Sequence, residues 1–266
     1  MITLRLIRRV VAMNVMVTLE YRGAFFVYMV NTVVTPMIYL LVWLTVSEQG
    51  VRLPYDRGQF VTYYVLLSVV SMLTGTWLAI FLADEIRLGT LSPWLLRPGP
   101  FIAHYIGNNI GEKVVKLPLL LPLVGLVALV FRTDLRLPAD PWAWLLFALC
   151  LPPAAAIAFL LDFVTGSLAF WMQDVKGLIR VKNLVGAFLA GQFVPLALFP
   201  PSFFPLLEAL PFRYTLSFPL EVLTGSLSVE ATARGLIWQT GYCLGLWGCY
   251  RILWHFGLKS YTAPGG

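Results

Sequence analysis

Residues Ala24–Ser47, AFFVYMVNTVVTPMIYLLVWLTVS, run for 24 positions without a charged side chain. A hydrocarbon core about 30 Å thick needs about 20 apolar residues per helical span, so this stretch is long enough to cross a bilayer. Its side chains do not alternate apolar and polar, as a transmembrane strand of about 10 residues must, so the reading is helix and not barrel. Five further runs with few or no charges follow: Phe60–Ala83, Val114–Phe131, Trp142–Met172, Leu184–Pro200 and Gly235–Phe256. The fourth is over-long and holds Pro152-Pro153, which predicts a kinked or tilted helix. In the third, Lys113 and Lys116 are placed to snorkel towards an interface.

The whole chain agrees with its first run. Of 266 residues 59% are hydrophobic and 12% charged, against about a quarter charged in soluble domains. Soluble enzymes, disordered chains and disulfide scaffolds are excluded together, leaving an all-α polytopic membrane protein with one transmembrane domain over 1–266. The segments between runs set its orientation. Alternate segments carry 13 Lys and Arg on one side and 6 on the other, so the positive-inside rule puts both termini in the cytoplasm. With acidic residues counted, the inner side is +8 and the outer side −1, and Asp162 lies within the fourth run. The basic excess is therefore a topology signal and an attraction to anionic lipid, with no soluble basic face to suggest nucleic acid. Before the first run, Leu4, Ile7, Val11 and Val15 recur at helical spacing near Arg5, Arg8, Arg9 and Glu20, which predicts an amphipathic helix in the inner interface. A cleaved signal peptide would have a short apolar region nearer the start, so the chain is expected to insert by its first span.

Motifs for catalysis are mostly missing. Gly107-Asn108-Asn109-Ile110-Gly111-Glu112-Lys113 is glycine-rich, but it lacks the spacing and the Ser or Thr of a phosphate loop. The chain is therefore expected to be no enzyme, and any ATP used is hydrolysed elsewhere. His104 and His255 are the only histidines, too few for a metal cluster or a Ser-His relay. Cys150, Cys243 and Cys249 fall inside runs and read as small buried hydrophobes. Thr-Gly-Ser-Leu at 165–168 and 224–227 reads as a chance repeat. Gly241-x-x-x-Gly245 with Gly248 predicts close helix packing. Asp162 is an ionisable residue within a span, either on a translocation path or in a structural polar contact.

Two regions stand apart. In the inner loop 84–116, acidic residues open a segment with Ile86, Leu88, Leu91, Leu95 and Leu96 before Pro98, which predicts short amphipathic helical turns suited to lipid or to a partner's groove. Residues Phe193–Gly225 hold prolines 195, 200, 201, 205, 211 and 219 among aromatics and leucines. This segment is too broken to span, so short helices dipping into the outer leaflet and lining a cavity are expected.

Glu85-Ile86-Arg87-Leu88-Gly89-Thr90-Leu91 followed by Leu95-Leu96-Arg97-Pro98 resembles the E-x-R-x-G-T/x-L…LL-x-P segment of ABC-2-type permeases, the membrane subunits of bacterial ABC exporters. Gly191-Gln192-Phe193-Val194-Pro195-Leu196-Ala197-Leu198-Phe199-Pro200, then Leu210-Pro211-Phe212 and Pro219…Gly225, is similar to their fifth-span and re-entrant region. Phe256-Gly257-Leu258-Lys259-Ser260-Tyr261 resembles the closing G-L-x-x-Y of a six-span subfamily of similar length. The resemblance implies six helices per protomer, a homodimer or heterodimer of permeases in the cell membrane, and separate ATPase subunits that carry ATP and Mg, this chain binding no cofactor. It implies a coupling helix at Glu85, Arg87, Leu88, Gly89, Thr90, Leu91 and Leu95, with Glu85 and Arg87 pairing across the contact and the leucines as anchors. It implies an outer gate built from Phe193, Pro195, Phe199, Pro200, Phe203, Phe204, Pro211, Phe212 and Pro219. The cargo expected for such apolar spans is hydrophobic or amphipathic. A secondary transporter, which wants paired broken helices and central acids, and a non-transporting anchor or immunity protein are the competing readings.

Overall fold

The computed structural model describes residues 8–13, 16, 22–96 and 99–261. Among them all regular structure is helical: α1 (Arg22–Glu48), α2 (Arg57–Thr74), α3 (Leu78–Arg87), α4 (Ser92–Leu95), α5 (Ile102–Val130), α6 (Pro141–Ser167), α7 (Val175–Leu189), α8 (Phe204–Glu208), α9 (Ser217–Leu223) and α10 (Val229–Ser260), with single 3-10 turns between. Among the described residues four stretches are long and apolar enough to cross a membrane: Met29–Glu48, Arg57–Arg87, Ile102–Val130 and Pro141–Phe170. Residues 8–13 and 16 are helical, whereas Leu4, Arg5, Ile7, Val15 and Glu20 of the expected interface helix lie outside the described residues.

The first four expected runs fall on these stretches, while the last two fall on helices outside them, and three runs change in extent. The second run is two helices, α2 and α3, separated at Gly75–Trp77. The third is the outer part of a longer helix that begins at Ile102. The fifth, expected over 184–200, is helical only to Leu189, because its helix begins earlier, at Val175, and Gly191 then turns the chain at φ +84°.

Helix ends are set by local chemistry. Asp56 accepts from the Gln59 N–H while the Gln59 side chain accepts from the Asp56 N–H, a reciprocal cap that starts α2. Asp140 before Pro141 starts α6, and Ser228 starts α10. Arg136 pairs with Asp56, and Arg57 with Glu48 and Asp134, which ties the α1–α2 loop to the α5–α6 loop.

Burial follows one stripe per helix. In α1, Met29, Val33, Leu40 and Leu44 face inward, while Val27, Val34, Ile38 and Leu41 are exposed, as suits a helix with lipid or another subunit on its outer face. Helices α6 and α10 make the most extensive helix pair. Buried Gln239 on α10 donates to the carbonyls of Cys150 and Tyr214, and the Cys243 thiol donates to Pro153 O. These contacts sit where Pro152-Pro153 interrupts the hydrogen bonding of α6. The expected packing role of Gly241, Gly245 and Gly248 is not realised within the chain, since nothing lies within 4 Å of a side chain built there. Close approach occurs instead at Gly235 against Phe218 and at Gly257 against Phe170.

The turn after α7 carries the outer segment. Tyr63 donates to Gly191 O at 2.7 Å, and Ser217 to Ala190 O at 2.7 Å. Phe193 O accepts from Tyr64 at 2.9 Å and from Trp43 at 3.2 Å. Irregular backbone inside a membrane protein must find such partners within the protein. A side chain at Gly191 would sit in left-handed backbone and collide with Ser217 Oγ and Tyr63 OH. Gly191→Ala is therefore expected to cost about 1–3 kcal/mol from backbone strain alone, read as a lower apparent Tm of the detergent-purified chain. An unchanged Tm would show that the turn tolerates an ordinary residue.

Candidate functional site: a polar cavity at the broken second span

The sequence from Ser71 to Trp77, Ser-Met-Leu-Thr-Gly-Thr-Trp, puts hydroxyl side chains and a glycine where a spanning helix would continue. Here α2 ends and Gly75 takes an extended conformation, with φ −60° and ψ 153°. Two sets of backbone groups are thereby left without helical partners. On the carbonyl side Gly75 O is met from α5, where Lys113 Nζ donates to it at 2.8 Å and to Asn109 Oδ1 at 2.6 Å, while Asn109 Nδ2 reaches the same carbonyl at 3.4 Å. The amide set is met by Asp162 of α6, which accepts from the Ala79 N–H at 3.4 Å, and by Thr76 Oγ1, which accepts from Leu78 N–H. A carboxylate at the N-terminus of α3 also answers the helix dipole.

Asp162 is buried and pairs with Lys182 of α7. Of the two roles open to it, the geometry supplies a structural contact and also places it on a cavity wall. That cavity is about 550 Å3 in volume. It runs from Asp162, Lys182 and Lys113 past Asn31 and Asn183 to Gln192 and Phe212, so it is bordered by α1, α2, α5, α6 and α7. A second cavity, also about 550 Å3, lies across Thr76, Trp77 and Glu112, which line both. It holds Glu85, which accepts from Tyr105 OH at 2.8 Å, and Lys116, which pairs with Glu112.

The inner loop is a small built knob. Gly89, at φ +74°, reverses the chain after α3, and Leu91 N–H donates back to Glu85 O at 3.2 Å. Leu91 is fully buried, Trp94 lies on His104 with ring centres 3.9 Å apart, and Ser92 Oγ is 3.2 Å from Tyr261 OH. Arg87, Leu88, Thr90, Leu95 and Leu96 stay exposed, Leu88 at 69% and Leu96 at 87%. Two assigned roles change as a result. Glu85 is engaged with Tyr105 and so is not placed to pair outward with Arg87, and Leu91 is a root of the knob and not an anchor for a partner. Arg97 and Pro98 lie outside the described residues.

The outer residues divide by depth. Pro195 and Pro219 are buried, Phe193, Phe199, Phe204, Pro211 and Phe212 are half-buried, and Pro200 and Phe203 are exposed. Phe212 lines the main cavity and packs over Gly186. Phe188 meets Phe199 edge-to-face with centres 5.3 Å apart, and Phe203 lies tilted to Phe199 at 6.4 Å. Beneath them Arg213 bridges Glu208 and Glu221, and burial raises the Glu221 carboxyl above its ordinary range against the pull of Arg213.

Sequence reading missed Lys182 as the partner of Asp162, Lys113 as a cap and the Gly75–Trp77 break. The available signal was polar residues clustered within apolar runs, at Asn31, Thr32 and Thr35 and again at Ser71, Thr74 and Thr76. Removing one member of a buried pair leaves an uncompensated charge, at about 3–5 kcal/mol. Lys182→Met is therefore expected to lower the apparent Tm clearly, and Asp162→Asn with Lys182→Met to recover most of the loss. A single variant as stable as the double would remove the pair from the account.

No curated protein and no solved structure matches the chain. A family model described as ABC-2 family transporter protein matches residues 30–265, which take in the broken span, both cavities, the inner knob and the outer segment. The chain is a helical, multi-pass membrane protein and belongs to the ABC-2 transporter family.

Proposed function

We propose that the chain is the permease subunit of an ATP-driven exporter, with six spans, an inner interface helix and both termini on the cytoplasmic side of a bacterial inner membrane. Two such permeases, identical or related, pair in the lipid, and separate ATPase subunits below them bind the ATP and Mg. A chain without a phosphate loop is driven only through a contact whose free energy differs between two states of its partner.

The observation that carries this reading is the knob at Arg87–Leu96. Its roots, Ile86 and Leu91, are buried and Trp94 packs on His104, while Leu88, Leu95 and Leu96 are exposed, an apolar surface that is stable in water only when covered. A rigid base under an exposed apolar tip is the form expected of a docking element and not of a floppy loop. The cavity between α1, α2 and α7 supports the transport half of the proposal. It reaches from the inner ion pair to Phe212 of the outer segment, a course suited to a hydrophobic or amphipathic cargo moving outward.

Leu88→Asp with Leu96→Asp is expected to abolish co-purification of a co-expressed partner ATPase subunit and its stimulated ATP hydrolysis, while the apparent Tm stays within about 2 °C of the parent because both sites are exposed. Retained complex and activity at unchanged stability would reject the knob as the docking element.

A further inference from the structure

We propose that the cavity at the broken span is a binding site for the oxyanion group, phosphate or carboxylate, of an amphiphile, with Lys113 as its contact residue. Four charged side chains line this cavity: Glu112, Lys113, Asp162 and Lys182. Glu112 is neutralised by Lys116 from the adjoining cavity, and Asp162 by Lys182. Among the described residues Lys113 has no carboxylate within ion-pair distance. Its ammonium meets two neutral acceptors, Gly75 O and Asn109 Oδ1, and an ammonium has three N–H groups to give.

Capping the broken helix does not explain that charge. Asn109 already donates to Gly75 O, and a neutral amide at 113 would serve the same carbonyl. Lys113 lies eleven residues beyond Ile102, about 16 Å along α5, where a cation within a span costs several kcal/mol and marks a ligand or ion pathway by default. An anion in the cavity would give Lys113 the missing partner and form a charge-assisted hydrogen bond. Neutral polar side chains at Asn31 and Asn183 line the same space and offer donors for the remaining oxygens. Pro36, Met72 and Leu161 line it as well, giving an apolar wall for a chain attached to the anion.

The ligand is called cargo only on the export reading above, whereas its binding is tested without any ATPase, so the two stand or fall separately. The full chain is held in dodecyl maltoside micelles, which carry no anion, and saturable binding of radiolabelled dodecyl phosphate is measured. Binding is expected to be displaced by unlabelled dodecyl phosphate and not by dodecyltrimethylammonium. Lys113→Gln, which keeps a donor for Gly75, is expected to weaken it about tenfold or more, and Lys113→Arg to stay within about threefold of the parent. Inorganic phosphate separates the sources: displacement at equal concentration assigns the site to the free anion, and failure to displace assigns it to the amphiphile. Equal affinity in Lys113→Gln, or displacement by the cationic amphiphile, would overturn the proposal.

Discussion

The hydrogen bonds that close the gap between α2 and α3 organise much of the inner half of the molecule. A span that stops being helical within a membrane protein leaves carbonyls on one side of the break and amides on the other, and lipid offers neither a partner. Gly75 O is met by Lys113 and Asn109, and the Ala79 N–H by Asp162. Each solution brings a charge, and the carboxylate brings a second requirement, which Lys182 fills. One three-residue interruption thus fixes the positions of α5, α6 and α7 relative to the second span. Gly166 completes the arrangement by letting α6 lie against the Ala79 backbone.

The outer half answers the same constraint without charge. The carbonyls at 190, 191 and 193 are taken by Ser217, Tyr63, Tyr64 and Trp43. A tyrosine or tryptophan tip satisfies a carbonyl while its ring packs as core, and Tyr63 and Tyr64 are both in the buried cluster around Phe60 and Leu67. The cavity joins the two regions: Asp162, Lys182 and Lys113 line it together with Gln192, Thr215, Leu216 and Phe212, which packs over Gly186.

What could be read from the chain follows from which physical signal each feature leaves. Hydropathy reports solvent, so the run at 24–47 and the run at 142–172 emerged as helices close to their observed limits. It does not report continuity: Gly75-Thr76-Trp77 carries no charge, so the break left no trace in a charge-based search. The helix before Val114 was hidden for the opposite reason, because Asn108, Asn109, Glu112 and Lys113 read as loop although their polar groups serve the break and its cavities. At 184–200 a continuous apolar run concealed a helix end, since the turn at Gly191 is stabilised by residues more than 120 positions earlier and more than 20 later. The knob was legible as an amphipathic segment, but its inside and outside were not. Leu88 and Leu91 are the same residue type three positions apart, and only the reversal at Gly89 sends one to solvent and the other to the core.

The same geometry bears on how force on the knob would travel. Helix α3 has ten residues, about 15 Å of rigid rod, with the knob at one end and the Asp162 contact at the other. Its buried face, Leu78, Ala79, Leu82, Ala83 and Ile86, packs mainly on α6. On the proposed reading, a partner that displaces Leu88 and Leu96 loads α3 along its axis, and the non-helical residues 75–77 absorb the motion before it reaches α2. The first bonds to feel it are those from Ala79 to Asp162 and from Lys113 to Gly75, which are the bonds at the cavity wall. The break is then both the place where the span is weakest and the place where movement of an inner loop is converted into a change of the polar site.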